Sequence, residues 1–241
     1  MCDFILKLKE ILPEGDFKAN EPLSLHSTFR IGGNADIFAK PSSEMYLVKL
    51  LKTAKENDIP YTVVGGGSNI LFSDKGFKGL VITTQGLKNI SSRDTFVTAE
   101  SGVALPMLSS FLCRRGLGGM SFACGIPGTV GGGVFMNAGA YGGEFADVLV
   151  SSRYYDCISG KICEIANSEH NFSYRHSSYM EHSERVILSA EFSLDKGSSE
   201  VIKNECDELL RRRAEKQPLE FPSAGSTFKR YPGFFTAQLI D

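Results

Sequence analysis

Hydrophobic side chains recur at helical intervals from the start of the chain. Phe4, Ile5, Leu8, Ile11 and Leu12 share one face and predict a short amphipathic helix. Thr28–Lys40 reads as an extended segment broken by Gly32-Gly33. Pro41, Ser42 and Ser43 then supply a break and a cap for a second helix, marked by Leu47, Leu50, Leu51 and Ala54 and stopping before Pro60. The pattern next changes to short apolar runs. YTVV (61–64), ILF (70–72) and GLVITT (79–84) predict three buried strands. A third helix runs from about Leu105 to Arg115, with Pro106 in its first turn and Gly116 just past its end.

Beyond Arg153 the pattern favours antiparallel pairing. RYYDCI, a turn at Ser159-Gly160 and KICEI predict a hairpin. Val186, Leu188, Ala190, Phe192 and Leu194 alternate as in a half-buried strand. Ser199 is a candidate cap for a helix with the stripe Val201, Ile202, Cys206, Leu209 and Leu210, which ends in RRRAEK before Pro218. Turn residues cluster in DKGSS (195–199), where a domain boundary is expected. The final GFFTAQLID reads as the beginning of an apolar helix. The stretch it belongs to is too short for a core of its own, so the chain is expected to stop inside a domain.

Glycine changes this picture most. Between Gly116 and Gly143 lie 11 of the 25 glycines, most of them in GIPGTVGGGVFMNAGAYGG (125–143). A second cluster, GGGSN (65–69), follows the YTVV strand. Glycine costs backbone entropy, but it allows positive φ and close approach of main chain to a flat or anionic ligand. Two such loops flanking an α/β pattern predict a large phosphate-bearing cofactor. The dinucleotide fingerprint does not fit, because Gly65 and Gly67 are followed by Ile70 and a strand-and-turn segment rather than a helix. No Walker lysine follows either loop. What remains is a tight turn whose N–H groups, with the Ser68 and Asn69 side chains, can grip a diphosphate; the blander alternative is a glycine-rich strand connection.

Composition narrows the partners. The 241 residues are 42% hydrophobic and 22% charged with a net charge of −2, as expected for one or two globular domains and not for a nucleic-acid binder. The six cysteines form no CxxC pair and read as free thiols of a reducing compartment. Asp3, Lys7, Lys9 and Glu10 interrupt any signal-peptide core, and no apolar run is long enough to span a membrane, so a cytoplasmic location is expected. The four histidines and the cysteines lack metal-ligand spacing. Arg175, in FSYRHSSY, can hold a carboxylate or developing enolate through its fork of donors; an isolated arginine is more often a surface ion pair. Ser226, in PSAGSTFKR, has no GxSxG context and on its own reads as a cap or turn residue. Arg211, Arg212, Arg213 and Lys216 fit a solvated helix C-terminus, with Lys216 the best candidate to face a substrate diphosphate.

Five segments together carry a resemblance: HSTFRIGGNAD (26–36), VVGGGSNILFSDKGFKGLVI (63–82), GIPGTVGGGVFMNAGAYGGE (125–144), FSYRHSSY (172–179) and PSAGSTFKR (222–230). In this order they resemble the UDP-N-acetylenolpyruvoylglucosamine reductase family, from about Leu25 to the end, in the shorter of its two types. The resemblance implies an α+β protein. A lead-in (1–27) precedes a two-lobed FAD-binding domain of the PCMH or vanillyl-alcohol-oxidase-like kind (28–195), and an incomplete α+β substrate-binding domain (196–241) follows. It implies non-covalent FAD held by Gly65, Gly66, Gly67, Ser68, Asn69, Pro127, Gly128, Gly131, Gly132, Gly139, Ala140 and Tyr141. It also implies NADPH as reductant and a UDP-sugar enolpyruvate as substrate, in peptidoglycan precursor synthesis. Ser226 then matches the proton donor and Arg175 the residue that stabilises the enolate, with Tyr174, Lys216, Lys229 and Arg230 around the substrate. Apart from the resemblance, a monomer is expected, the residues themselves leaving the oligomeric state open. The family's third catalytic residue, a late glutamate, falls beyond Asp241, which implies little activity for the chain as it stands. Two alternatives stay open. One is another FAD oxidase or dehydrogenase of the same fold, with covalent flavin on a residue such as Cys124; the other is a flavin-binding module without catalysis.

Overall fold

The computed structural model describes residues 2–228, 233 and 236–240. Its first lobe is built from α1 (Cys2–Ile11), β1 (Phe17–Pro22), β2 (Asn34–Ala39), α2 (Glu44–Glu56), β3 (Tyr61–Val64) and β4 (Phe77–Thr83). The sheet order is β1-β2-β4-β3, with β1 antiparallel to β2 and the other pairs parallel. Both expected helices form. The Ser43 hydroxyl accepts from the Tyr46 amide at the start of α2, and Leu47, Leu50, Leu51 and Ala54 are buried against β2, β4, and Phe4 and Leu8 of α1.

Two expectations here need correction. The extended segment begins only at Asn34, because Gly32 and Gly33 are packed against residues 72–76. A Cβ on Gly33 would lie 2.2 Å from the Asp74 carbonyl oxygen. ILF (70–72) is not a strand but an irregular plug. Ile70 and Phe72 pack on a small core of Leu23, Ala35, Phe38, Val64 and Val81, while Leu71 faces outward.

The second lobe contains β5 (Ile90–Arg93), β6 (Phe96–Glu100), α3 (Leu105–Arg115), β7 (Leu117–Gly118), α4 (Val130–Phe135), β8 (Gly139–Ala140), β9 (Gly143–Glu144), α5 (Phe145–Val148), β10 (Leu149–Asp156), β11 (Lys161–Ala166), β12 (Arg185–Ser193), β13 (Asp195–Lys196) and α6 (Ser199–Lys216). The short α7 (Thr236–Ile240) follows, with Leu239 and Ile240 exposed; Phe234 and Phe235 lie outside the described residues. The main sheet is antiparallel throughout, in the order β11-β10-β12-β6-β5. Gly116 closes α3 in the left-handed conformation, as expected. The hairpin also forms, and its first strand starts at Leu149.

Three further expectations are revised. Strand β12 is covered on both faces: Val186 and Leu188 join the core shared with the first lobe, while Ile187 and Phe192 join the second core. The sheet is packed between two cores here, one against each face. Helix α6 has Ser198, not Ser199, at its N-cap position, where the side chain makes no capping bond, and Ile202 is its buried residue. Finally, the long glycine run is not all loop. Thr129 caps a real helix, α4, because Gly131 and Gly133 let it lie close to the sheet. A Cβ on Gly133 would sit 2.3 Å from the Phe145 ring, and one on Gly131 would sit 2.8 Å from Ser101 Cβ. Strand β13 pairs with β7, so the segment at 195–199 is tied to the lobe before it. Among the described residues no helix is long and apolar enough to cross a membrane.

Candidate functional site

The loop Gly65–Asn69 leaves the end of β3 and turns beneath residues 26–28. Gly67 adopts φ +67°, and a Cβ there would lie 2.0 Å from the His26 carbonyl oxygen, so only glycine fits. Two hydrogen bonds hold the loop from behind: the Thr28 amide donates to the Gly67 carbonyl (3.1 Å), and the Thr83 hydroxyl donates to the Gly65 carbonyl (3.0 Å). The second glycine segment meets it directly. A Cβ on Gly65 would stand 2.4 Å from Thr129 Oγ1, one on Gly66 3.6 Å from Gly128 Cα, and one on Gly128 3.4 Å from Ser68 Oγ. Two segments some sixty residues apart thus form one main-chain surface. The amides of Gly66, Gly67, Ser68, Asn69, Gly128 and Thr129 donate to no backbone carbonyl among the described residues. Main-chain N–H groups left without acceptors on adjoining turns are the donors from which an anion-binding nest is built.

Behind this surface the glycine segment is fastened down. The Leu105 amide donates to the Gly128 carbonyl and the Val130 amide to the Val103 carbonyl. The Gly131 amide donates to Ser101 (2.8 Å), so Gly131 serves the packing of α4, whereas Gly132 and Pro127 are exposed. Gly139 and Ala140 form β8 against β9, and Tyr141 turns the corner at φ +54° with its hydroxyl donating to the Leu209 carbonyl of α6 (3.3 Å). Arg213 of α6 donates from Nη1 to the Gly125 carbonyl. Arg211 and Arg212 instead pair with Glu208 on the solvent face of α6, and Lys216 is exposed at its end.

Arg175 meets the second glycine segment further along, at Gly139. It sits at φ +58° in a tight turn closed by the Ser173 and His176 amides, and its Nη2 donates to the Gly139 carbonyl (2.9 Å). Its guanidinium lies 5.1 Å from the ring of Tyr174, which is half exposed. Ser226 is exposed, and among the described residues no contact joins it to Arg175. Its segment is nevertheless placed. The Thr28 hydroxyl donates to the Ser223 carbonyl (2.6 Å) and the Ser223 amide donates back to the Thr28 carbonyl (3.0 Å), while Gly225 donates to Ser223 Oγ. Thr28 therefore links the first glycine loop to the chain that carries Ser226. Lys229 and Arg230 lie outside the described residues.

Three residues of this arrangement were not identified from the sequence. Thr28 and Thr129 carried a signal in their place beside glycine motifs, but short polar residues there read equally well as ordinary caps. Asn137 sits inside the glycine run and is fully buried with both ends of its amide bonded. Two suggestive groups turn out to be inert. Cys124 is buried, its thiol bonded to the Cys206 carbonyl and pushed up to about 12 by burial and the neighbouring Cys206, which leaves it a poor nucleophile for attaching a flavin. The Ser152–His170–Tyr179 chain, with both O···N and O···O contacts at 2.7 Å, is a satisfied core network and not a catalytic pair open to substrate.

An FAD diphosphate needs anion-binding amides and room for close approach. The six open amides meet the first need, and the absence of side chains at Gly65, Gly66 and Gly128, which lets the two segments pack main chain to main chain, leaves those amides on bare backbone. Residues 35–166 match the FAD binding domain family, so the fold and site define an FAD-binding oxidoreductase. A solved alkyldihydroxyacetonephosphate synthase shares the fold at a TM-score of 0.62 and 19% identity, over 81% of this chain and 40% of that one. The specific family follows from closer relatives. A UDP-N-acetylenolpyruvoylglucosamine reductase from Caldanaerobacter subterraneus subsp. tengcongensis is 43% identical over 98% of this chain and 77% of its own length. The crystal structure of the reductase from Thermus caldophilus superposes with a TM-score of 0.76 at 30% identity, over 93% of this chain and 77% of that one. The chain belongs to the UDP-N-acetylenolpyruvoylglucosamine reductase family.

Proposed function

We propose that this chain binds FAD non-covalently across the two glycine segments and acts on a UDP-N-acetylglucosamine enolpyruvate, with NADPH as reductant, in the supply of peptidoglycan precursors. The observation that carries this is the joining of Gly65–Asn69 to Gly128–Thr129 into one surface of open amides. When bound, FAD supplies the hydride chemistry between nicotinamide and the enolpyruvyl double bond. The chain's own residues do the rest. Arg175, anchored through one N–H to the Gly139 carbonyl, offers its remaining donors to the substrate carboxylate and to the negative charge that develops on it. Ser226 delivers the proton to the carbon next to that carboxylate, completing addition of hydride and proton across the double bond. Tyr174 packs beside Arg175, while Lys216, Lys229 and Arg230 meet the UDP-sugar. Residues 28–195 serve the cofactor and those from 196 onward the substrate. The state proposed is monomeric, in the cytoplasm.

The test separates the two halves of the reaction. In the FAD-loaded protein, Ser226→Ala is expected to leave flavin reduction by NADPH intact and to slow its reoxidation by the enolpyruvyl sugar by about 10²–10⁴-fold. Equal slowing of both halves in stopped-flow absorbance would assign Ser226 a packing role instead.

A further inference from the structure

Backbone strain gathers where the second glycine segment meets the 173–177 turn. Among the non-glycine residues at positive φ, Asn137 (+41°) and Arg175 (+58°) face each other across this contact. Such conformations cost energy and persist only where the surroundings over-determine them. Asn137 is the residue that does so. It is wholly buried, its Oδ1 accepts from the Ala146 amide at the start of α5 (3.0 Å), and its Nδ2 donates to the Ser173 carbonyl at the base of the Arg175 turn (3.2 Å). One residue type satisfies all three demands: an asparagine tolerates the left-handed conformation and presents a donor and an acceptor on one planar group. Ser177, also buried, adds a second tie on the far side of the turn, donating from Oγ to the Phe135 carbonyl at the end of α4 (2.7 Å).

We propose that Asn137 is a positioning residue for Arg175. It fixes the turn on the glycine segment, so that the guanidinium meets the substrate carboxylate at a set distance from the flavin cradle. This inference rests on the role proposed above for Arg175. The geometry gives it a direction: Arg175 already donates to Gly139, two residues from Asn137, so the amide ties the guanidinium's turn and its anchor to one short piece of backbone. Losing the Nδ2 tie frees the turn while Gly66–Asn69 and Gly128 stay as they are.

Asn137→Asp keeps the acceptor for Ala146 and removes the donor to Ser173, and Ser177→Ala is the milder companion if the buried charge prevents folding. In the FAD-loaded protein, Asn137→Asp is expected to bind FAD within about threefold of the parent and to be reduced by NADPH at the parent rate. Reoxidation by the enolpyruvyl sugar slows by about tenfold or more, with a higher half-saturating concentration, because misplacement of about 1 Å suffices for such a loss. Adding Asn137→Asp to Arg175→Gln should then slow the reaction little further, since the two act through one group. Independent, multiplying losses in the double variant, or equal slowing of both half-reactions, would overturn the proposal. Hydrogen exchange supplies the second readout, independent of turnover. The His176 amide should exchange at least tenfold faster in either variant while the amides of β12 are unchanged; unchanged protection at His176 would also overturn it. If the parent protein neither binds the enolpyruvyl sugar nor is reoxidised by it, the substrate assignment fails, and the exchange result still decides the positioning role.

Discussion

Gly67 shows how one missing side chain shapes the site. Its left-handed φ and the 2.0 Å approach to the His26 carbonyl leave no room for a Cβ, and its carbonyl is held by Thr28. Gly67→Val is therefore expected to weaken FAD binding by at least about 100-fold by displacing the loop, while far-UV circular dichroism keeps the parent's helix and strand content. Normal FAD affinity in this variant would make the loop purely structural. His170 gives a residue-scale prediction of a different kind. Burial holds its imidazole below the ordinary value of 6.5, with Nδ1 bonded to the Ala166 carbonyl and Nε2 to Ser152. The unfolded chain takes up a proton that the folded chain refuses, so stability is fully present above about pH 6.5 and falls as pH drops below it. Thermal melts between pH 7 and 5 should show this slope. A His170→Asn variant should lose that part of it, at a cost of ~1–3 kcal/mol for the broken network. The positive φ and close backbone approach at Gly67 were legible in the sequence because a glycine cluster marks such positions. Asn137 was not, since an asparagine among glycines reads as a turn former and burial has no local signature.

At the scale of elements, amphipathic helices and the hairpin were readable because their hydrophobic periodicity is local. The failures share one cause. ILF, α4 and β12 take their form from what lies against them: the Gly32-Gly33 approach, Phe145 and Ser101, and a second core behind the sheet. Helix α4 yields a test of this. Thr129 is buried, caps α4 through its hydroxyl and faces Gly65. Thr129→Val keeps the shape and removes the cap, which should lower stability by ~1 kcal/mol and weaken FAD binding as the two segments lose register. A denaturant titration together with an FAD titration checks both effects. A stability loss with unaltered affinity would separate the cap from the cradle.

Across the whole molecule, β10 and β12 belong to both lobes. Tyr155, Val186 and Leu188 lie in the first-lobe core, while Tyr154, Ile187 and Phe192 lie in the second. The lobes should therefore unfold together, and Leu188→Ala should lower stability by ~2–5 kcal/mol in a single transition seen alike by every probe. The cradle depends on this joint, because it takes one loop from each lobe. The most direct measurement of the central claim is a titration of the purified chain with FAD, followed by flavin fluorescence and then by denaturation and filtration. The expected result is saturable uptake of one flavin per chain, with all of the yellow colour released on unfolding. A folded chain that takes up no FAD, or colour that stays with the denatured chain, would contradict it.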